Sequence, residues 1–108
     1  MAFLFVFEGA DVRESTYQAE LIKKIENLIP GCMVLKNDPR EVQGIPDLLV
    51  LFETRWAMLE VKTSAGATRQ PNQTYYVETL GQMSYTSFIS PDNEEEVLHE
   101  LQQAFGVA

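Results

Sequence analysis

Cysteine is nearly absent from these 108 residues: Cys32 stands alone, so no internal disulfide can form and no cysteine cluster can hold zinc. It lies in the apolar run Cys32-Met33-Val34-Leu35 and reads as a packing residue. Histidine is equally scarce. His99 sits among Glu95, Glu96 and Glu100, which places it on a surface and leaves no Ser-His or Cys-His catalytic arrangement. There is no glycine-rich loop ending in Gly-Lys-Ser or Gly-Lys-Thr, so no nucleotide cofactor is expected. Long apolar runs are missing as well. The start, Met1–Phe7, is far shorter than the about 20 residues that cross a bilayer, and it meets Glu8 and Asp11 without a basic leader. The expectation is a cytoplasmic protein with no membrane partner.

Positive charge is also in short supply. Lys and Arg number 8 against 16 acids, a net charge of −8, which argues at first sight against a polyanionic partner. The distribution weakens that objection. From Leu21 to Gln73 the seven basic residues (Lys23, Lys24, Lys36, Arg40, Arg55, Lys62, Arg69) slightly exceed the six acids, and much of the acidity lies in Asp92, Glu94, Glu95, Glu96 and Glu100. Net charge therefore decides little.

The length suits one domain spanning residues 1–108, with no repeat or linker dividing it. Phe3–Phe7 has β character and reads as an edge strand or part of a dimer contact. Asp11 with Glu14 fits a capping box, with Ser15 as a later cap, and Tyr17, Leu21, Ile25 and Leu28 form one helical stripe ending at Pro30-Gly31. Cys32–Lys36, Ile45–Phe52 and Arg55–Lys62 read as strands, the last two as a hairpin around Glu53-Thr54, a poor two-residue turn whose loop could be wider. The run Leu48-Leu49-Val50-Leu51 lacks polar alternation, so this strand is expected to be buried on both faces. Thr63–Thr68 reads as a flexible loop. A helix follows from Pro71 to Gly81 with Gln73, Val77 and Leu80 on one face, then a strand at Tyr85–Ile89. Ser90-Pro91-Asp92 is expected to open a last helix carrying Val97, Leu98, Leu101 and Phe105 inward. The order (β)αβββαβα predicts an α/β fold, a mixed central β-sheet flanked by helices.

The informative stretch runs from Gly44-Ile45-Pro46-Asp47 to Glu60-Val61-Lys62. In a hairpin centred on Glu53-Thr54, counting outward from Phe52 and Arg55 sets Asp47 opposite Glu60, with Cβ atoms about 5 Å apart. Glu60 and Lys62 then project from one face. The Val61 backbone carbonyl is available as a further oxygen ligand. A slip of one residue would send the two carboxylates to opposite faces, so everything depends on register. Paired carboxylates suit Mg²⁺, which takes oxygen ligands together with water and substrate phosphate. A lysine beside such a cation can orient water and stabilise developing charge, which is the chemistry of phosphodiester hydrolysis.

Pro46-Asp47 followed by Glu60-Val61-Lys62 resembles the PD-(D/E)xK nuclease superfamily, and the longer string Gly44-Ile45-Pro46-Asp47-Leu48, Leu59-Glu60-Val61-Lys62 and Gln73 resembles its VRR-NUC (virus-type replication-repair nuclease) branch. The likeness covers roughly Gln18 to Ile89. It implies a restriction-endonuclease-like core in which Asp47 and Glu60 bind Mg²⁺, with Mn²⁺ as a substitute, and Lys62 assists the nucleophile. It also implies an acid on the preceding helix, matched to Glu20 as a further candidate ligand, and a catalytic glutamine, Gln73, with Gln70 as its rival. The implied activity is endonucleolytic hydrolysis of branched, Holliday-junction-like DNA in recombination, replication or repair, by a homodimer in a bacterial or phage-infected cell, leaving 5′-phosphate and 3′-hydroxyl ends. Lys36, Arg40 and Arg69 flank the motif and are candidate phosphate contacts. The competing readings are a restriction-type nuclease, disfavoured by the lack of a recognition domain, and a catalytically idle DNA-binding or assembly module, disfavoured by the intact Asp47, Glu60 and Lys62.

Overall fold

In the computed structural model, the structure describes the backbone of residues 2–107 and the side chains of residues 13–107. Helix α1 (Ala2–Leu28) leads into strands β1 (Met33–Lys36), β2 (Leu48–Phe52) and β3 (Arg55–Val61), then α2 (Pro71–Gly81), β4 (Tyr85–Ile89) and α3 (Glu94–Phe105). The four strands form one sheet in the order β1-β2-β3-β4, antiparallel between β1, β2 and β3 and parallel between β3 and β4. The parallel pair follows from the connection, because α2 returns the chain to the end of the sheet where β3 began. The expected mixed α/β architecture is what forms. Among the described residues no helix is long and apolar enough to cross a membrane.

One face of the sheet carries the core. Leu48 and Val50 of β2, Ala57, Leu59 and Val61 of β3 and Ile89 of β4 meet Leu21, Ile25 and Ile29 from the α1 end and Val97, Leu98, Leu101 and Phe105 of α3. Phe52 stacks on Phe105 with ring centroids 5.7 Å apart. The two helices are tied together above the core: Tyr17 donates to Glu94 Oε1 at 2.9 Å, and Lys24 pairs with Glu94 Oε2 at 2.7 Å. Burial and the acceptor carboxylate both push the Tyr17 phenol up, so it stays a donor.

Several expectations needed revision. Residues 3–7 belong to α1, not to a strand; five apolar residues cannot distinguish period 2 from period 3.6, and β propensity yields readily to context. Their side chains lie outside the described residues, so the dimer contact suggested for them does too. Asp11, Glu14 and Ser15 lie inside the helix rather than capping it. The stripe closes on Ile29, 1% exposed, instead of Leu28, 39% exposed. The last helix begins at Glu94 after Asn93, with Ser90-Pro91-Asp92 forming a turn in which Asn93 Oδ1 accepts from the Ser90 N–H at 2.7 Å. Strand β2 is fully buried on only one face: Leu49 and Leu51 stay partly exposed because α2 packs mainly over β3 and β4. The segment after β3 is tethered, with Ala65 N–H donating to Asp92 Oδ2 at 2.7 Å and Ala67 N–H to Ser64 O at 3.2 Å.

Gly44 fixes the approach of α2 to the loop before β2. Its φ is +90°, and a Cβ there would lie 2.4 Å from Asn72 Cβ and 2.8 Å from the Asn72 carbonyl carbon. Both the left-handed backbone and the contact demand glycine. Gly44→Ala should therefore lower stability by about 2 kcal/mol or more, read from urea unfolding. Asn72→Gly in the same chain should recover only the share due to the Cβ collision. A wild-type midpoint in Gly44→Ala would mean that the loop and α2 are not in this contact.

Candidate active site

The hairpin register decides which side chains meet. Phe52 pairs with Arg55, Val50 with Ala57 and Leu48 with Leu59, so the next step outward sets Asp47 beside Glu60. The turn is the tight two-residue form despite its composition, and Glu53 adopts a left-handed φ of 56° to make it. Asp47 Oδ2 accepts the Val61 N–H at 2.9 Å, which pins the carboxylate to the end of β3. Within a strand the N–H and C=O of one residue point to the same side, so the Val61 carbonyl faces the Asp47 side as well. Pro46, fully buried, holds the entry to β2, and Asn37 donates to the Pro46 carbonyl at 2.9 Å.

Glu60 is the unusual residue. It is 3% exposed, yet it has no cationic side chain in direct contact among the described residues. Burial first, and then the charge of Asp47 beside it, push its carboxyl up to about 8; Lys62 acts in the opposite sense, and contact with the Asp47 carboxyl and the charge of Glu14 add to the rise. Two carboxylates pressed together will share a proton unless a cation takes its place.

Gln73 organises the remainder. Its Nε2 donates to Glu60 Oε2 at 3.0 Å, while its Oε1 accepts from Lys62 Nζ at 2.7 Å and from the Gln70 N–H at 2.9 Å. The amide is thus oriented at both ends and keeps the ammonium from collapsing onto Glu60. Lys62 donates a second hydrogen bond to the Thr68 carbonyl at 3.0 Å, leaving one N–H for another acceptor. Gln70, the rival glutamine, is exposed and precedes α2, contributing its backbone.

Asp47, Glu60, Lys62 and Gln73 are therefore brought together. Glu20 is placed elsewhere: it is exposed, and its charge acts on Lys24. The α1 acid whose charge reaches Glu60 is Glu14. The sequence reading took Glu14 for part of a cap; it lies two helical turns before Leu21, on the same side of the helix, and stays exposed there. Of the candidate phosphate contacts, Arg69 lies 3.9 Å over the ring of Phe88, the β4 neighbour of Glu60. Arg40 is held by Asp38 at 3.0 Å, and Lys36 is exposed at the end of the edge strand β1.

The donor set fits a hard divalent cation. Among the described residues no three His, Cys, Asp or Glu side chains converge as a metal cluster. An all-protein cage is therefore not what these residues form. Two carboxylates and a backbone carbonyl do suit Mg²⁺, which keeps several waters and takes its other oxygens from phosphate.

The Glu60 carboxyl also gives a stability signature in metal-free protein. A raised carboxyl pKa contributes stability that is full below about 4.5 and is lost as pH rises through about 8. In EDTA, Glu60→Gln should match wild type near pH 4.5 and unfold about 5 °C higher at pH 8.5. Melting curves that differ by the same amount at both pH values would exclude this environment for Glu60.

Comparison of the chain with protein-family models gives no match, and comparison with curated proteins gives none either. Among solved structures it is similar to one described as a VRR_NUC domain protein, with 18% identity, a TM-score of 0.63, and coverage of 89% of this chain and 90% of that one. The chain has the mixed α/β fold of a VRR-NUC domain.

Proposed function

We propose that the protein is a Mg²⁺-dependent DNA endonuclease, with Asp47, Glu60, Lys62 and Gln73 as its catalytic centre and Glu14 at its margin. The observation that carries this reading is the buried Glu60 carboxylate set against Asp47, with Lys62 one amide away. The name of the structural neighbour supports a nuclease-type domain.

Asp47, Glu60 and the Val61 carbonyl would hold the cation, which when bound activates water and neutralises phosphoryl charge. The chain's own groups do the rest. Asp47, fixed by the Val61 N–H, and Glu60, fixed by Gln73, present oxygens that need no reorganisation when substrate arrives. Lys62 offers its remaining N–H to a phosphoryl oxygen or to the attacking water, and its links to Gln73 and Thr68 set the direction of that bond. The leaving 3′ oxygen then takes a proton from solvent. We further propose that the substrate is branched DNA and that two copies act together. The partly exposed apolar side chains Met33, Leu35, Leu49 and Leu51 on the sheet face beside the site suit pairing.

The decisive experiment is cleavage of a labelled four-way junction, a linear duplex and a single strand in Mg²⁺, Mn²⁺ or EDTA. Wild type should cut the junction only with metal, Asp47→Ala and Glu60→Ala should lose at least about 1000-fold, and Gln73→Ala about 10–100-fold through misplacement of its two partners. Cutting of every substrate would remove the junction preference, and no cutting under any metal by folded wild type would remove the enzyme. Sedimentation at tens of micromolar should give a dimer; a monomer would rule out pairing.

A further inference from the structure

Arg69 is exposed, yet its side chain is fixed at both ends beside the reaction site. At its root, the residues on either side are tied to catalytic groups: the Thr68 carbonyl accepts from Lys62 Nζ at 3.0 Å, and the Gln70 N–H donates to Gln73 Oε1 at 2.9 Å. At its tip, the guanidinium carbon lies 3.9 Å from the centroid of the Phe88 ring. Phe88 pairs with Glu60 across the parallel β3–β4 ladder, so the two side chains leave the sheet on the same face. Ordering a long charged side chain costs rotamer entropy, and here the loop before α2 and the ring have already ordered it.

The seat leaves the guanidinium uncommitted. A cation over a ring is held by the ring's quadrupole and gives up none of its five N–H donors. Among the described residues neither a carboxylate nor a carbonyl accepts from Arg69; the ion pairs there are Lys24 with Glu94 and Arg40 with Asp38. Position narrows the ligand. Neighbouring strands lie about 4.8 Å apart, so a group seated on β4 stands to one side of the Asp47–Glu60 pair. Lys62 already faces that pair. The acceptor left for Arg69 is a second oxyanion, one step along from the reacting one, and its planar fork of donors matches two oxygens of a single phosphodiester.

We propose that Arg69, seated on Phe88, holds the phosphodiester next to the scissile one through paired N–H bonds. The inference rests on the nuclease reading above and adds to it the path of the cut strand, which crosses the sheet end from β3 towards β4. Such a contact positions the substrate without reading its sequence. It gives a chain of net charge −8 a localised hold on a polyanion.

The test is binding of a labelled four-way junction by fluorescence anisotropy in Ca²⁺ across a salt series. Wild type is compared with Arg69→Ala, Arg69→Lys, Phe88→Leu and Arg55→Ala, at a temperature where circular dichroism shows each to be folded. Arg55 stands at the far end of β3, so its removal takes away the same charge at a distance from the site. Arg69→Ala should weaken binding about tenfold and lower the salt slope by about 1, the loss of one phosphate contact; Arg55→Ala should change neither. Arg69→Lys and Phe88→Leu keep the charge but lose the fork or its seat, so the slope should hold while affinity falls several-fold. A single neutral methylphosphonate, moved along the cut strand, should at one linkage beside the cleaved bond weaken wild type and leave Arg69→Ala no worse than before. Wild-type affinity and slope in Arg69→Ala, or equal losses in both proteins at every linkage, by a protein that still cuts DNA, would overturn the clamp and leave the nuclease intact. An equal loss in Arg55→Ala would assign the effect to net charge and overturn the clamp as well. Absence of both binding and cutting in wild type would overturn the nuclease reading and the clamp with it.

Discussion

The register of the β2–β3 hairpin is the constraint on which the rest of the molecule depends. Residues whose numbers sum to 107 face each other across it, from Phe52 and Arg55 to Leu48 and Leu59. The same parity that turns Leu48, Val50, Ala57, Leu59 and Val61 into the core turns Glu60 and Lys62 to the other face. Core and site are therefore two readings of one alternation. A one-residue slip would bury charges among aliphatic side chains and expose the aliphatic face, so hydrophobic burial itself enforces the meeting of Asp47 and Glu60. The tight turn demands a left-handed Glu53, a strain of roughly 1 kcal/mol that the packed sheet outweighs.

A second constraint sets α2 over the open face. Gly44 lets the loop that leads to Asp47 touch Asn72, and Gln73 follows in the next position. The loop, the helix start and the ends of β2 and β3 are consequently one unit. A glutamine suits the junction because it donates at one end and accepts at the other, meeting a carboxylate and an ammonium at once. An acid or a base in its place would satisfy only one of them.

Much of this was legible in the residues. The hairpin pairing followed from counting outward from Glu53-Thr54, and the α2 and β4 boundaries from Pro71, Gly81 and the run Tyr85–Ile89. The errors have local causes. Phe3–Phe7 was too short to reveal its period, and the Asp11–Ser15 region offered cap-forming residues that a continuous helix absorbed. The double burial assigned to β2 was read from its unbroken apolar run, whereas α2 is only 11 residues long and sits on the β3–β4 side. The resemblance assigned the α1 acid to Glu20, whereas the α1 charge felt at Glu60 is that of Glu14, a residue read from the sequence only as part of a cap.

The parallel pairing of β3 with β4 bears on the order in which the molecule comes together. β1, β2 and β3 meet through short connections, while β4 must wait for the whole crossover from Lys62 to Ser84 to close. Loop-closure entropy favours the hairpin as the earlier structure. The two carboxyl groups are thus neighbours before Gln73 arrives, and whenever both are ionised their mutual repulsion works against the nucleus. A chain that meets divalent cations during folding would have that repulsion relieved, so the ion suited to the mature site would also act as an aid to its assembly.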